Sequence, residues 1–123
     1  MTRQQFDKWL KDLKTAWESK NPNAAIDLVA EKFIWYETPF SPAIENKNDL
    51  LKEWNGVLNQ ENIDLKLETL AVTKSYGIVK WWAKFTLIST KKTMIYEGIL
   101  QAWLDEKSKC TKYIQWFNIN DKL

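Results

Sequence analysis

The sequence predicts an α+β fold: three N-terminal helices packed on a curved, mostly antiparallel sheet, in the order α-α-β-α-β-β-β-β. Three observations predict it. Apolar residues in the first part recur every three or four positions, the helical period, while from Ile63 onward they alternate with polar ones. Helices followed by a run of strands argue for α+β rather than alternating α/β. The last third, residues 96–118, reads as two long strands joined by a polar turn at 105–109. The 123 residues fit one domain, 1–123, with no repeat, linker or low-complexity segment.

Taken in order, Phe6, Trp9, Leu10, Leu13, Ala16 and Trp17 make one stripe on an amphipathic helix over residues 4–19. Thr2 is its N-cap, and Asn21-Pro22 ends it, because the residue before proline is pushed out of the helical region. Asn21 or Asn23 caps a second helix, whose buried face is Ala25, Ile26, Leu28, Val29 and Phe33. Residues 33–38 (FIWYET) are rich in β-formers, and Pro39 and Pro42 stop that strand. Asn46 or Asn48 caps a third helix with Leu50, Leu51, Trp54, Val57 and Leu58 apolar and Gly56 inside it. Ile63, Leu65 and Leu67 then mark a strand, and Val79, Trp81, Ala83, Phe85 and Leu87 mark the next. Tyr76-Gly77 and residues 89–93 supply turns, and residues 96–104 and 110–119 complete the set.

Composition excludes several functions. Apolar residues at 45% and charged residues at 28% are ordinary, and a net charge of +2 with interspersed Lys and Glu lacks the clustered basic face of a nucleic-acid binder. Lys80 and Lys84 flank Trp82 on one strand face, the pattern of a solvated sheet surface. Cys110 is the only cysteine, so no internal disulfide forms and no oxidising compartment is implied. The N-terminal stretch lacks a signal peptide's apolar run, and no segment reaches the ~18–20 apolar residues of a membrane span. The expected location is cytoplasmic, with neither membrane nor nucleic acid as partner. Without histidine there is no Ser-His-Asp triad, no Cys-His pair and no imidazole ligand; no cofactor and no metal site is expected. Eight tryptophans are the unusual feature, consistent with a Trp-rich core or an aromatic-lined cavity.

Three local signatures carry a resemblance. They are Tyr36-Glu37-Thr38-Pro39-Phe40 before a short helix, Glu97-Gly98-Ile99-Leu100 opening a strand that ends Trp103-Leu104-Asp105-Glu106, and Cys110 followed by Tyr113, Gln115, Trp116 and Phe117. With the element order, they make the chain resemble the nuclear-transport-factor-2-like (cystatin-like, SnoaL-like) superfamily over nearly its whole length. In many bacterial members a Glu stands where Gln115 stands here. The resemblance implies helices capping the concave face of the sheet around a conical apolar pocket, and a homodimer through the other face. It does not bring ketosteroid isomerase chemistry with it. The position of that family's Asp base matches Thr38, its oxyanion-hole Asp falls near Ile99, and its tyrosine falls near residues 13–17, where there is none.

The expected function is binding of a small apolar or aromatic molecule. By the same alignment the pocket residues are Trp17, Tyr36, Thr38, Trp54, Trp81, Phe85, Ile99, Gln101, Trp103, Ile114 and Trp116, with Trp9, Leu13, Lys112 and Asn118 beside them. Were the protein an isomerase, cyclase or hydratase, Glu97 is the expected acid/base, shared with Tyr36; Glu37, one residue off the base position, is expected outside, since one residue turns a strand side chain to the other face. The third alternative is a homodimeric interaction scaffold whose outer face includes Trp82, Ile88 and Tyr113. Cys110 reads as a small apolar residue at a strand start, and Asp105, Glu106 and Asp121 as solvated turn carboxylates.

Overall fold

Thr2 opens the first helix through a reciprocal cap. Its hydroxyl accepts the Gln5 backbone N–H at 3.1 Å, and the Gln5 side chain accepts the Thr2 N–H at 2.7 Å. Helix α1 then runs Arg3–Glu18 and buries Phe6, Trp9, Leu10, Leu13 and Ala16, the stripe that its spacing predicts. The computed structural model describes residues 1–121; Lys122 and Leu123, the end of the expected 1–123 domain, lie outside the described residues.

Asn21 caps α2 (Pro22–Ile26), with Pro22 in its first turn. The second helix is shorter than expected. Leu28, Val29 and Phe33 are not on its face, because the chain leaves it at Asp27 and enters strand β1 (Val29–Tyr36). Tertiary hydrogen bonding decides this: the Leu28 carbonyl accepts the Cys110 N–H at 2.8 Å and the Trp9 indole N–H at 3.0 Å. Asn46 caps α3 (Lys47–Trp54) by accepting the Asp49 N–H. A 3₁₀ turn, Asn55–Asn59, follows, so Gly56 falls outside the α-helix and Leu58 is exposed while Val57 is buried.

Strands β2 (Gln60–Val72), β3 (Tyr76–Leu87), β4 (Thr93–Leu104) and β5 (Cys110–Asn120) join β1 in one sheet of order β1-β5-β4-β3-β2. β1 runs parallel to β5, and every other pair is antiparallel. Tyr76-Gly77 is not a turn. It opens β3, and the reversal lies at 73–75, where the Thr73 hydroxyl accepts the N–H groups of Ser75 and Tyr76. The expected turn at 105–109 is present, held by the Asp105 carboxylate accepting the N–H groups of Lys107 and Lys109. Asn62 sits at φ 55° where the β2–β3 register shifts, and a second shift falls between Thr69 and Ala71. Such bulges bend a strand and strengthen its twist, and so curve the sheet over the helices.

The alternation of β3 is unambiguous: Val79, Trp81, Ala83 and Phe85 are buried, while Lys80 and Lys84 are exposed. Directly paired residues share a face, so β3 sets the face of its neighbours. Leu100, Gly98 and Tyr96 stand opposite Val79, Trp81 and Ala83, and Gln115 and Phe117 stand opposite Leu100 and Gly98. The helix-covered face of β4 and β5 is therefore Tyr96, Gly98, Leu100 and Ala102 with Tyr113, Gln115 and Phe117. The expectation for these two strands was one residue out of phase. Glu97, Ile99, Gln101 and Trp103, with Lys112, Ile114, Trp116 and Asn118, point to the outer face, and Tyr113 to the inner one. A one-residue offset moves every side chain of a strand to the other side.

Candidate functional site

Between the helices and the sheet lies a cavity of about 380 Å³. α1 supplies Leu13 and Trp17, the segment after β1 supplies Glu37, Thr38 and Ser41, α3 and its 3₁₀ extension supply Glu53, Trp54, Gly56 and Val57, and the inner face of the sheet supplies the rest. The exposed residues among its lining, Glu53 and Gly56, mark the mouth. The rings of Trp17, Trp81 and Phe117 meet at large angles: Trp17 and Trp81 at 5.9 Å and 53°, Trp81 and Phe117 at 5.6 Å and 60°. Trp54 closes edge-on upon Trp17 at 6.2 Å and 83°. Gly98 permits the central contact, because it stands between Trp81 and Phe117 in the cross-strand row and adds no side chain there.

One hydrogen-bonded chain crosses the far wall. Glu37 follows the end of β1 on the same side as Trp35, two residues earlier. Its Oε1 accepts the Trp35 indole N–H at 2.8 Å, and its Oε2 accepts the Gln115 amide N–H at 2.9 Å. The Gln115 carbonyl in turn accepts the Tyr113 hydroxyl at 2.7 Å, and Tyr113 stacks on Trp35 with ring centroids 3.7 Å apart. No cation touches this chain among the described residues. Burial raises the Glu37 carboxyl to a pKa of about 7; the Trp35 hydrogen bond opposes the rise, and the charge of Glu53 adds to it. Burial likewise raises Tyr96 and Tyr113, with the Glu37 charge adding to both shifts. Trp81 is 2% exposed, and its indole N–H is the one buried side-chain polar group without a hydrogen-bond partner among the described residues.

Of the residues expected to line a pocket, Trp17, Thr38, Trp54 and Trp81 lie on this cavity, with Leu13. Phe85 is buried against Tyr96 but does not reach it, and Trp9 is spent on the Leu28 carbonyl. Tyr36 pairs with Ile114 on the outer side. Ile99, Gln101, Trp103, Ile114 and Trp116 are on the outer face, where Trp116 is 41% exposed. Glu97 is there too, 3.6 Å from Lys80, and has no access to the cavity. Glu37, expected outside, is inside. Tyr96, Gln115 and Phe117 were missed by the same phase error. The missing signal was the alternation of β3 carried across the 88–92 turn onto β4.

Cys110 is buried and donates to the Lys112 carbonyl, and burial pushes its thiol far above the usual range, so it is an inert core residue. Asp105 fastens its turn and Asp121 pairs with Lys92. No cluster of His, Cys, Asp or Glu that could hold a metal ion exists among the described residues, nor does any helix there have the length and apolarity to cross a membrane.

No protein-family model matches the sequence, and no curated protein matches it. Solved structures do match the fold. The epoxide hydrolase/cyclase-like enzyme SalBIII, described in pyran ring formation in the polyether salinomycin, superposes with a TM-score of 0.84 at 11% identity over 96% of both chains. A candidate polyketide cyclase from Xanthomonas campestris pv. campestris superposes with a TM-score of 0.81 at 11% identity, covering 94% of this chain and 92% of that one. A protein with a ketosteroid isomerase-like fold from Catenulispora acidiphila, in complex with trimethylamine, reaches 0.75 at 10% identity over 88% and 83% of the two chains. Helices on the inner face of a five-stranded mixed sheet, together with these neighbours, give the chain the nuclear-transport-factor-2-like fold of the SnoaL-like cyclases and ketosteroid isomerase-like proteins.

Proposed function

We propose that the cavity receives a small, largely apolar molecule and that Glu37 is the polar group that meets it. One observation carries this reading: a carboxyl with a pKa of about 7, fixed by two N–H donors, stands in an aromatic-walled cavity of about 380 Å³. Mainly apolar cavities of this order with few convergent polar groups are the usual form of small-molecule sites. The chemistry named for the neighbours, ring closure in one and a bound amine in another, is of the same small-molecule kind.

The raised carboxyl favours a second reading, an isomerase, cyclase or hydratase with Glu37 rather than Glu97 as acid/base. Near pH 7 both its protonation states are populated, the condition for efficient proton transfer. Trp81 lines the same cavity, and its buried, unpartnered indole N–H is the donor this reading assigns to an oxygen that gains charge. A second copy of the chain is proposed to cover the outer face, supported by the half-buried and exposed aromatic side chains there.

Tryptophan fluorescence titrated with a panel of small carbonyl compounds, amines and aromatic alcohols tests the binding reading. The expected result is saturable quenching by at least one compound, weakened in Phe117→Ala and unchanged in Trp116→Ala. Quenching lost in Trp116→Ala alone would overturn the assignment of the cavity. Turnover of any hit that persists in Glu37→Gln would remove the catalytic reading.

A further inference from the structure

The lining of the cavity has a one-sided charge inventory. It contains two carboxylates, Glu37 in the wall and Glu53 at the mouth, and no lysine or arginine, although Lys and Arg outnumber Asp and Glu by 18 to 16 in the chain. Neither carboxylate has a cationic partner among the described residues. Three lysines of the sheet are engaged on its outer face: Lys80 with Glu97, Lys66 over the Trp82 ring at 4.6 Å, and Lys112 over the Trp103 ring at 4.8 Å. The inner rings are different. Along the row Trp54, Trp17, Trp81 and Phe117 successive rings stand at 53–83°, while Phe117 stacks on Tyr96 and Trp35 on Tyr113, so the rings form several differently inclined walls around a space. Aromatic walls with a nearby carboxylate attract a positively charged group by the ring quadrupole and by charge together.

We propose that the ligand of this cavity is an organic cation, an amine or quaternary ammonium group on a small apolar body, with Glu37 as its counter-ion. This rests on the reading of the cavity as a small-molecule site and names the ligand class. A bound cation supplies the opposite charge that Glu37 lacks, so it binds the ionised carboxyl and displaces its proton. The other groups that bear on Glu37 are Glu53 from α3, Tyr96 from β4 and Tyr113 from β5, while α1 and β2 contribute no charged group to the cavity. Glu53 repels a second anion and attracts the cation at the mouth. A neutral ligand offering a carbonyl or hydroxyl oxygen has the opposite requirement, since it is met by the protonated carboxyl as donor. The sign of the pH dependence therefore separates the two classes.

The experiment titrates the wild-type protein with benzyltrimethylammonium, with choline and its uncharged isostere 3,3-dimethylbutan-1-ol, and with cyclohexanone, following tryptophan fluorescence. The expected result is that choline binds about tenfold or more tightly than its isostere at about pH 8, since only the cation gains from the carboxylate and the ring faces. With the carboxyl titrating at about 7, the affinity for either cation falls about tenfold from about pH 8 to about pH 6, as the ionised fraction falls from about nine-tenths to about one-tenth. Glu37→Gln abolishes that pH dependence. Glu53→Gln, at an exposed position and so safe for folding, weakens the cations without affecting the alcohol. Equal or tighter binding of the uncharged isostere, or tighter cation binding at about pH 6, overturns the cation proposal and leaves the small-molecule reading standing. Binding by none of the four compounds, with no quenching across the wider panel, overturns both.

Discussion

Gly98 and Glu37 show how single positions shape this cavity. Gly98 stands where the rows of β3, β4 and β5 cross, and a Cβ there would meet the Trp116 carbonyl and lie 2.7 Å from the Phe117 Cα. Both contacts are backbone, so a larger residue must push strands apart. Gly98→Ala is expected to lower stability by about 1–3 kcal/mol, read as a fall in the urea midpoint, whereas Gly56→Ala, with open space around the added carbon, should change it little. The raised pKa of Glu37 gives a second prediction. The folded state holds its proton up to about 7 while the unfolded chain releases it near the ordinary carboxyl value of 4.5, so folding is favoured by protonation below that window and loses this contribution as pH rises through it. Between those limits wild type should lose up to about 3 kcal/mol relative to Glu37→Gln, measured by urea unfolding at several pH values. A wild type no more pH-sensitive than the variant would show that the carboxyl is well solvated. The Tyr-Glu-Thr-Pro run identified this stretch, but whether Glu37 turns inward depends on the facing of β1 against β5, which no local pattern encodes.

At the scale of elements, what could be read from the chain was whatever one strong period or one cap specifies. The α1 stripe, the Thr2 cap and the faces of β3 follow from residue types alone, and residue types narrow the other two caps to Asn21 or Asn23 and Asn46 or Asn48, of which Asn21 and Asn46 serve. The early end of α2 does not, because the Leu28 carbonyl is claimed by Trp9 and Cys110, respectively 19 and 82 residues away. β4 and β5 are ambiguous for another reason: each carries large apolar residues on both faces, Leu100 against Ile99 and Phe117 against Trp116, so alternation alone does not choose the phase. Register with β3 chooses it. The consequence is measurable as a contrast between neighbours. Phe117→Ala, removing a ring held by Trp81 and Tyr96, should cost about 2–3 kcal/mol in chemical denaturation, while Trp116→Ala should cost well under half of that. Glu97→Gln breaks only an exposed pair with Lys80 and should stay within about 0.5 kcal/mol of wild type, with ligand quenching unaltered. The reverse order of Phe117 and Trp116 would mean that the faces are assigned wrongly.

For the whole molecule, the curved sheet separates two surfaces with different tasks. The inner one is closed by helices around the cavity. The outer one presents Trp82, Ile99, Trp103, Ile114 and Trp116, all partly or largely accessible, among the lysines of β2, β3 and β5. Tryptophans at the centre of an apolar patch are the residues that most often dominate association energy, and lysines lying over two of them shield those rings in the free chain at the expense of lysine mobility. A stable pair needs roughly 800 Å² buried per partner, and the face of a long-stranded sheet is a surface on which an isologous contact can form. Tyr113, expected among these contacts, is inside the core and takes no part, and Ile88 lies past the end of β3 with its N–H bonded to the Asn59 carbonyl. Sedimentation velocity at micromolar concentration should therefore find wild type as a dimer. Trp116→Glu, which places charge at the most exposed ring of the face without entering the core, should sediment as a monomer, keep its secondary structure and retain cavity quenching. A monomeric wild type would sink the dimer proposal outright. A Trp116→Glu protein that stays dimeric would move the interface off this face, and the outer tryptophans would then need another partner.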